Sequence, residues 1–152
     1  MIKDNSKMIE QIRSGDVDGF NIAKYGTYQE GENVVLEGQD FKDLDLRDFA
    51  LPFTVFKNCV LENVKIKGLP IAFKNSKARL DLRGMGAGII AEGTDFTGTV
   101  FDENTRLGKT NPDSVGSVFS RCKFDKEFEE FLKSQNCTFT DEDVVVKHLG
   151  KE

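Results

Sequence analysis

Few residues of this chain could do acid–base, nucleophilic or metal chemistry, and none are grouped for it. His148 is the single histidine among 152 residues, so no second imidazole stands by to complete a metal site. Cys59, Cys122 and Cys137 are odd in number and far apart, which suits neither a disulfide framework nor a metal clip. Each stands two places before a large apolar residue, as a reduced core residue would. Asp141, Glu142 and Asp143 form an acidic run, but acids at the start of a helix ordinarily complement its dipole. Gly108-Lys109-Thr110 looks like the tail of a phosphate-binding loop, yet the leading glycine would fall at Glu103 and no strand-to-helix context surrounds it. The sequence predicts no catalysis, no metal and no cofactor.

What these residues sit on is set by a repeat. From Val34 to Phe73 a large apolar residue recurs at every fifth position: Leu36, Phe41, Leu46, Leu51, Phe56, Leu61, Ile66 and Ile71. Neither the 3.6-residue period of a helix nor the two-residue period of a strand yields that spacing. If each group of five is one side of a square coil, its central residue points inward, and so does the residue two places earlier. Four sides close a turn in twenty residues, and turns stack at the inter-strand distance of roughly 4.8 Å with backbone groups paired between levels. Val34, Leu44, Thr54, Cys59 and Val64 fill the second inward position; Gln39, Phe49 and Leu69 suit it less, and the two bulkiest of these departures imply local distortion. A β-sandwich of short strands would leave the period unexplained.

Thr94-Asp95-Phe96-Thr97-Gly98 is a small residue, an Asp, a large apolar residue and two variable ones. Leu44-Asp45-Leu46, Gln39-Asp40-Phe41, Thr99-Val100-Phe101, Ser117-Val118-Phe119 and Cys122-Lys123-Phe124 follow it in part. This unit resembles that of the pentapeptide-repeat family over about residues 34–126. The resemblance implies an all-β solenoid, a right-handed quadrilateral β-helix of about four to five coils with short α-helical caps at both ends.

The flanks read as caps. Residues 1–33 carry a helix with Met8, Ile9 and Ile12 on one face and Gly15 as its stop. A second helix is capped by Asp16, buries Phe20 and Ala23, and ends at Gly26. Residues 34–126 are the β-helix, and 127–152 a C-terminal helical segment with Phe128, Phe131 and Leu132 in a stripe. Cys137-Thr138-Phe139 is positioned to add one last side, and Thr140 with Asp143 resembles a capping pair for a final helix bearing Val144, Val145 and Leu149. Strict phase would place Asp81 inside, at high cost for an unpaired acid. Leu80 and Leu82 are therefore expected inward, with a slip near 84–88 and the phase recovered by Ala91, Phe96 and Phe101. A second phase change makes 104–116 a projecting loop holding Arg106, Lys109, Asn111 and Asp113. The resemblance makes that loop a candidate partner contact.

Two binding functions follow, in different classes. The resemblance implies either a protein-interaction scaffold or a DNA mimic that occupies a topoisomerase such as gyrase. A mimic needs a one-signed field along its length. Acids do cluster at Glu37, Asp40, Asp43, Asp45 and Asp48, but bases interleave with acids over the outward positions and the net charge is only −5. The scaffold reading has an apolar stripe to stand on. Residues twenty apart should stack, placing Pro52 and Phe53 beneath Ala72 and Phe73, with Pro70 beside them and Ile90 continuing the row. A bare stripe of that kind is unusual. Cover by a terminal helix of the same chain is favoured, with a homodimer or a foreign protein as the alternatives. No direct nucleic-acid binding and no membrane contact are expected. The opening residues carry no classical secretory leader, so the expectation is a cytoplasmic protein, or one exported without such a signal.

Overall fold

Residues 5–108 and 116–150 are described by the computed structural model. In it the five-residue period becomes a parallel β-solenoid of about five turns. One side is a six-stranded sheet of β1 (Val34–Glu37), β3 (Thr54–Lys57), β5 (Gly68–Lys74), β7 (Ala87–Glu92), β8 (Val118–Ser120) and β9 (Thr138–Thr140), stacked in that order. The next side is a three-stranded sheet of β2 (Asp40–Lys42), β4 (Val60–Lys65) and β6 (Lys77–Asp81). Isolated parallel bridges mark the third side, Asp45 to Lys65 and Asp81 to Val100, and the fourth, Gly86 to Arg106.

The inward rows explain the period. On the six-stranded sheet Leu36, Phe56, Phe73, Ala91, Phe119 and Phe139 lie in register. The rings of Phe41, Phe56, Phe73, Phe96 and Phe119 follow one another at centroid separations of 5.3 to 6.1 Å. Hydroxyls at the second inward position replace water for backbone groups that cannot reach it. Ser76 Oγ, for example, donates to the Phe56 carbonyl and accepts from the Cys59 N–H. The corner after the six-stranded sheet is turned by one left-handed residue at successive levels: Gly38, Asn58, Asn75, Gly93 and Arg121. Glycine and asparagine adopt that conformation at least cost.

Turn length is where sequence phase and structure part. Val34 to Thr54 takes the expected 20 residues. Thr54 pairs with Ile71, only 17 residues on, and Ile71 with Ile89, 18 on. The two turns together fall five residues short, one whole side. A deficit of one side leaves the five-residue phase untouched, so Ala91 and Phe96 return to inward centres while the twenty-residue stacking is lost. Leu80 and Leu82 do point inward and are fully buried. The slip lies earlier than 84–88, at the register shifts between Glu62 and Val64 and between Gly68 and Ile71. Asp81 faces the Arg83 guanidinium, bound through both carboxylate oxygens at 2.8 and 2.9 Å.

The expected loop at 104–116 starts later than its phase change suggests. Thr105 hydrogen-bonds to the Leu82 carbonyl, Arg106 bridges to Gly86 and Leu107 is buried, so 104–107 belong to the fourth side. Arg106 is therefore part of a coil, its guanidinium exposed and bonded to the carbonyls of Glu103 and Thr105. Lys109, Asn111 and Asp113 lie outside the described residues.

Both ends are capped by helices. α1 (Ser6–Ser14) ends at Gly15 in the left-handed conformation, and Asp16 caps α2 (Val17–Gln29) by accepting from the Gly19 N–H. α2 runs through Gly26 instead of ending there. Contacts beyond that glycine outweigh its propensity cost of about 1 kcal/mol: Thr27 is buried and Tyr28 meets Phe53. Phe49 is accommodated at the solenoid end because Phe20 of α2 meets it edge to face at 5.3 Å. α3 (Lys126–Ser134) buries Phe128 and Leu132, and β9 then adds a sixth level to the larger sheet. α4 (Val145–Leu149) follows.

Candidate interaction surface

Behind the inward rows of the larger sheet stands an outward row, Val35, Val55, Ala72, Ile90 and Val118, in register across five strands. Parallel pairing stacks like positions, so one apolar choice per turn builds a continuous stripe. Val55, Ala72, Ile90 and Val118 are buried not by the solenoid but by Val144, Val145 and Leu149 of the C-terminal arm. This side thus carries an outward apolar stripe, and the C-terminal arm of the same chain covers it.

Its membership differs from the sequence expectation. Ala72 and Ile90 belong to it. Phe73 does not: the 17-residue turn brings it into register with Phe56, where it stacks at 5.3 Å inside the solenoid with no exposure. Phe53 is half-buried at the corner, packed against the stripe on one side and against Tyr28 of α2 on the other at 5.8 Å. Pro52 and Pro70 are half-buried at the same corner, where the Pro70 carbonyl accepts from the Phe53 N–H.

The arm is fastened by polar groups as well. Glu92, buried at the edge of the stripe, accepts from the backbone N–H groups of Val144 and Val145 at 3.2 and 2.9 Å. The expected Thr140–Asp143 cap does not form. Thr140 Oγ1 accepts from Glu142 N–H, and no side chain of the helix's own flank caps it. A carboxylate 52 residues upstream does that work instead, where the helix dipole favours a negative charge. Arg121 bonds to Asp143 at 2.7 Å and to the Asp141 carbonyl, and lies 3.8 Å from Glu92. Asn33 holds the far end by donating to the Leu149 carbonyl at 2.8 Å. Glu92 carries no local signal in the sequence, because its role depends on a segment half the chain away.

A second, uncovered apolar area adjoins the first. On the outer face of α2, Ile22, Tyr25 and Tyr28 are 75, 63 and 58 % exposed. Phe53 touches Tyr28 and the stripe at once, so the two areas run together round the corner. On the inner side of the same helix Lys24 is buried, with no ion pair among the described residues, and burial lowers its pKa to about 8.

The acidic cluster is not gathered. Glu37, Asp40, Asp43, Asp45 and Asp48 encircle the first turn instead of lining one side, and Asp45 is held down to about 2 by the Arg47 guanidinium. Along the smaller sheet the outward rows read Asp40, Val60, Lys77, Asp95, Lys123 and Lys42, Glu62, Arg79. Both signs are interleaved along each row, with the uncharged Val60 between Asp40 and Lys77. The three cysteines are reduced, and burial pushes each thiol up, Cys137 to about 11. No group of three or more metal-ligating side chains is present among the described residues. No helix there is long and apolar enough to cross a membrane. Comparison with protein-family models, with curated proteins and with solved structures finds no match to this chain.

Proposed function

We propose that this protein is a non-catalytic interaction scaffold of the pentapeptide-repeat type that works by holding a protein partner against the corner between α2 and the larger sheet. The observation that carries the reading is the exposed face of Ile22, Tyr25 and Tyr28, which Phe53 joins to the stripe. Aromatic groups with one polar end supply large contact area at low entropic cost and dominate protein interfaces. They sit here on a helix bound to a stiff stack, not on a loop. Asn21 fastens it by donating to the Asp48 carbonyl and accepting from the Ala50 N–H. The twenty-residue first turn, with its five-residue sides, supports the pentapeptide assignment. Interleaved charge along the smaller sheet gives no support to mimicry of a duplex, whose phosphates are all of one sign.

The test is capture with the full chain and with Ile22→Ser/Tyr25→Ser, followed by identification of bound proteins from the native host. A discrete protein held by the wild type and lost from the variant is expected. Identical binding by the two proteins would remove α2 from the site.

A further inference from the structure

The C-terminal arm differs from every other covering element in what it touches. The inner core runs from Met8 to Leu132, with Phe139 stacked on its last level, whereas Val144, Val145 and Leu149 pack only in the second, outer cluster. Detaching the arm would open the outer cluster and leave the inner one whole. The helix itself has five residues, far below the length at which an isolated helix persists in water. It is helical because the sheet holds it.

We propose that the outward stripe is a helix-docking groove and that residues 141–149 are its built-in occupant, which a short amphipathic helix of a protein partner displaces. The inference rests on the scaffold reading and names the partner's chemistry. The groove specifies three features. Its floor, Val55, Ala72, Ile90 and Val118, takes adjacent branched residues and a Leu about one turn further on, as Val144, Val145 and Leu149 show. Its closed end presents the buried Glu92 carboxylate, which needs N–H donors and is served by a helix N-terminus. Beside it Arg121 takes an acid just before that terminus, the place of Asp143. A partner helix therefore enters N-terminus first, an acidic residue leading.

A second copy of the chain carries the same pattern but gains little by exchange, because its arm must first give up identical contacts at home. A foreign helix without a home site gains the whole set. It must still outcompete a tethered arm, whose effective concentration is of order millimolar. The arm thereby sets a threshold on which partners bind.

The probe is a labelled peptide with the sequence of residues 140–152, followed by fluorescence anisotropy against three full-length proteins. Val145→Ser/Leu149→Ser, which weakens the arm and leaves the groove, is expected to bind the peptide at least tenfold more tightly than the wild type. Adding Glu92→Gln to it is expected to weaken binding roughly tenfold, the worth of about one charge-assisted hydrogen bond. Equal binding by wild type and arm variant, or none by either, overturns the proposal. So does an arm variant that loses its circular dichroism, since a displaceable occupant cannot be essential to the fold. Dimeric mass for the wild type in light scattering, abolished in the arm variant, would assign the groove to a second copy and overturn the foreign-helix reading. An intact arm result with failure of the α2 variant test would leave the groove and remove only the α2 contact.

Discussion

The two strand-built sides of the solenoid share an inner wall and differ outside. Both present one aromatic or aliphatic residue inward per level, yet the outward row of the larger sheet is Val35, Val55, Ala72, Ile90 and Val118, while that of the smaller sheet is Asp40, Val60, Lys77, Asp95 and Lys123. The backbone hydrogen bonding is alike on the two. Stacking multiplies whatever outward residue each turn offers, so a few residues decide whether a side is an apolar face covered by the chain's own arm or a solvated, charge-compensated wall. A solenoid of this kind can change its outer face without disturbing its core.

The comparison breaks most severely at the shared inner wall. Phe73→Ala is expected to cost about 3 to 5 kcal/mol, as for a fully buried aromatic, while Phe53→Ala, half-buried at the corner, costs roughly 1 kcal/mol. Chemical denaturation of the two variants measures the contrast. Equal losses would mean that Phe73 lies outside, as twenty-residue turns would place it.

Next in size is the difference between the outer rows. Ile90→Ala is expected to remove about 2 to 4 kcal/mol by opening the contact with α4. On the smaller sheet Arg79→Ala, whose partner Glu62 is 4.0 Å away with both side chains exposed, should change stability by under about 1 kcal/mol. Thermal melts at low and high salt separate them, because only the second effect is screened.

Lys24 offers a change of opposite sign. Its folded pKa of about 8 lies below the ordinary lysine value of 10.5, so the unfolded chain binds more protons between those values. Stability therefore rises as the pH climbs from about 8 to 10.5, and the cost of burying the ammonium is fully present below that window. Lys24→Met is expected to stabilise the protein at pH 7 by on the order of 1 to 3 kcal/mol and to flatten the alkaline rise in a pH series of melts.

The smallest effects belong to the third side, where Asp45–Arg47 and Asp81–Arg83 form paired forks. Both carboxyls are held below their usual range, chiefly by the hydrogen-bonded guanidinium. For Asp45 that stabilisation is present above about pH 4 and lost as the pH falls toward about 2; for Asp81 it is likewise lost as the pH falls below the ordinary carboxyl range. Asp81→Asn should blunt acid sensitivity more than Asp45→Asn, because the Asp81 side chain is 8 % exposed and that of Asp45 50 %. Acid titrations followed by circular dichroism would show the order.

Residue type and spacing alone determined the solenoid, its inward rows from Leu36 to Leu61, the hydroxyl and thiol positions, both helical caps and the presence of an outward apolar stripe. Each follows from short-range rules: a five-residue side must put its centre inside, and a terminal level must be covered. Which residues stand above one another was decided only by the tertiary structure. A five-residue period cannot register the loss of a whole side, since every side looks alike to it, and so Phe73 reads as outward in the sequence but lies in the core. The Glu92 cap was equally hidden. A carboxylate and the helix it terminates, 52 residues apart, meet only because the stacked turns bring the arm back along the sheet, and no local pattern encodes a contact made by that return.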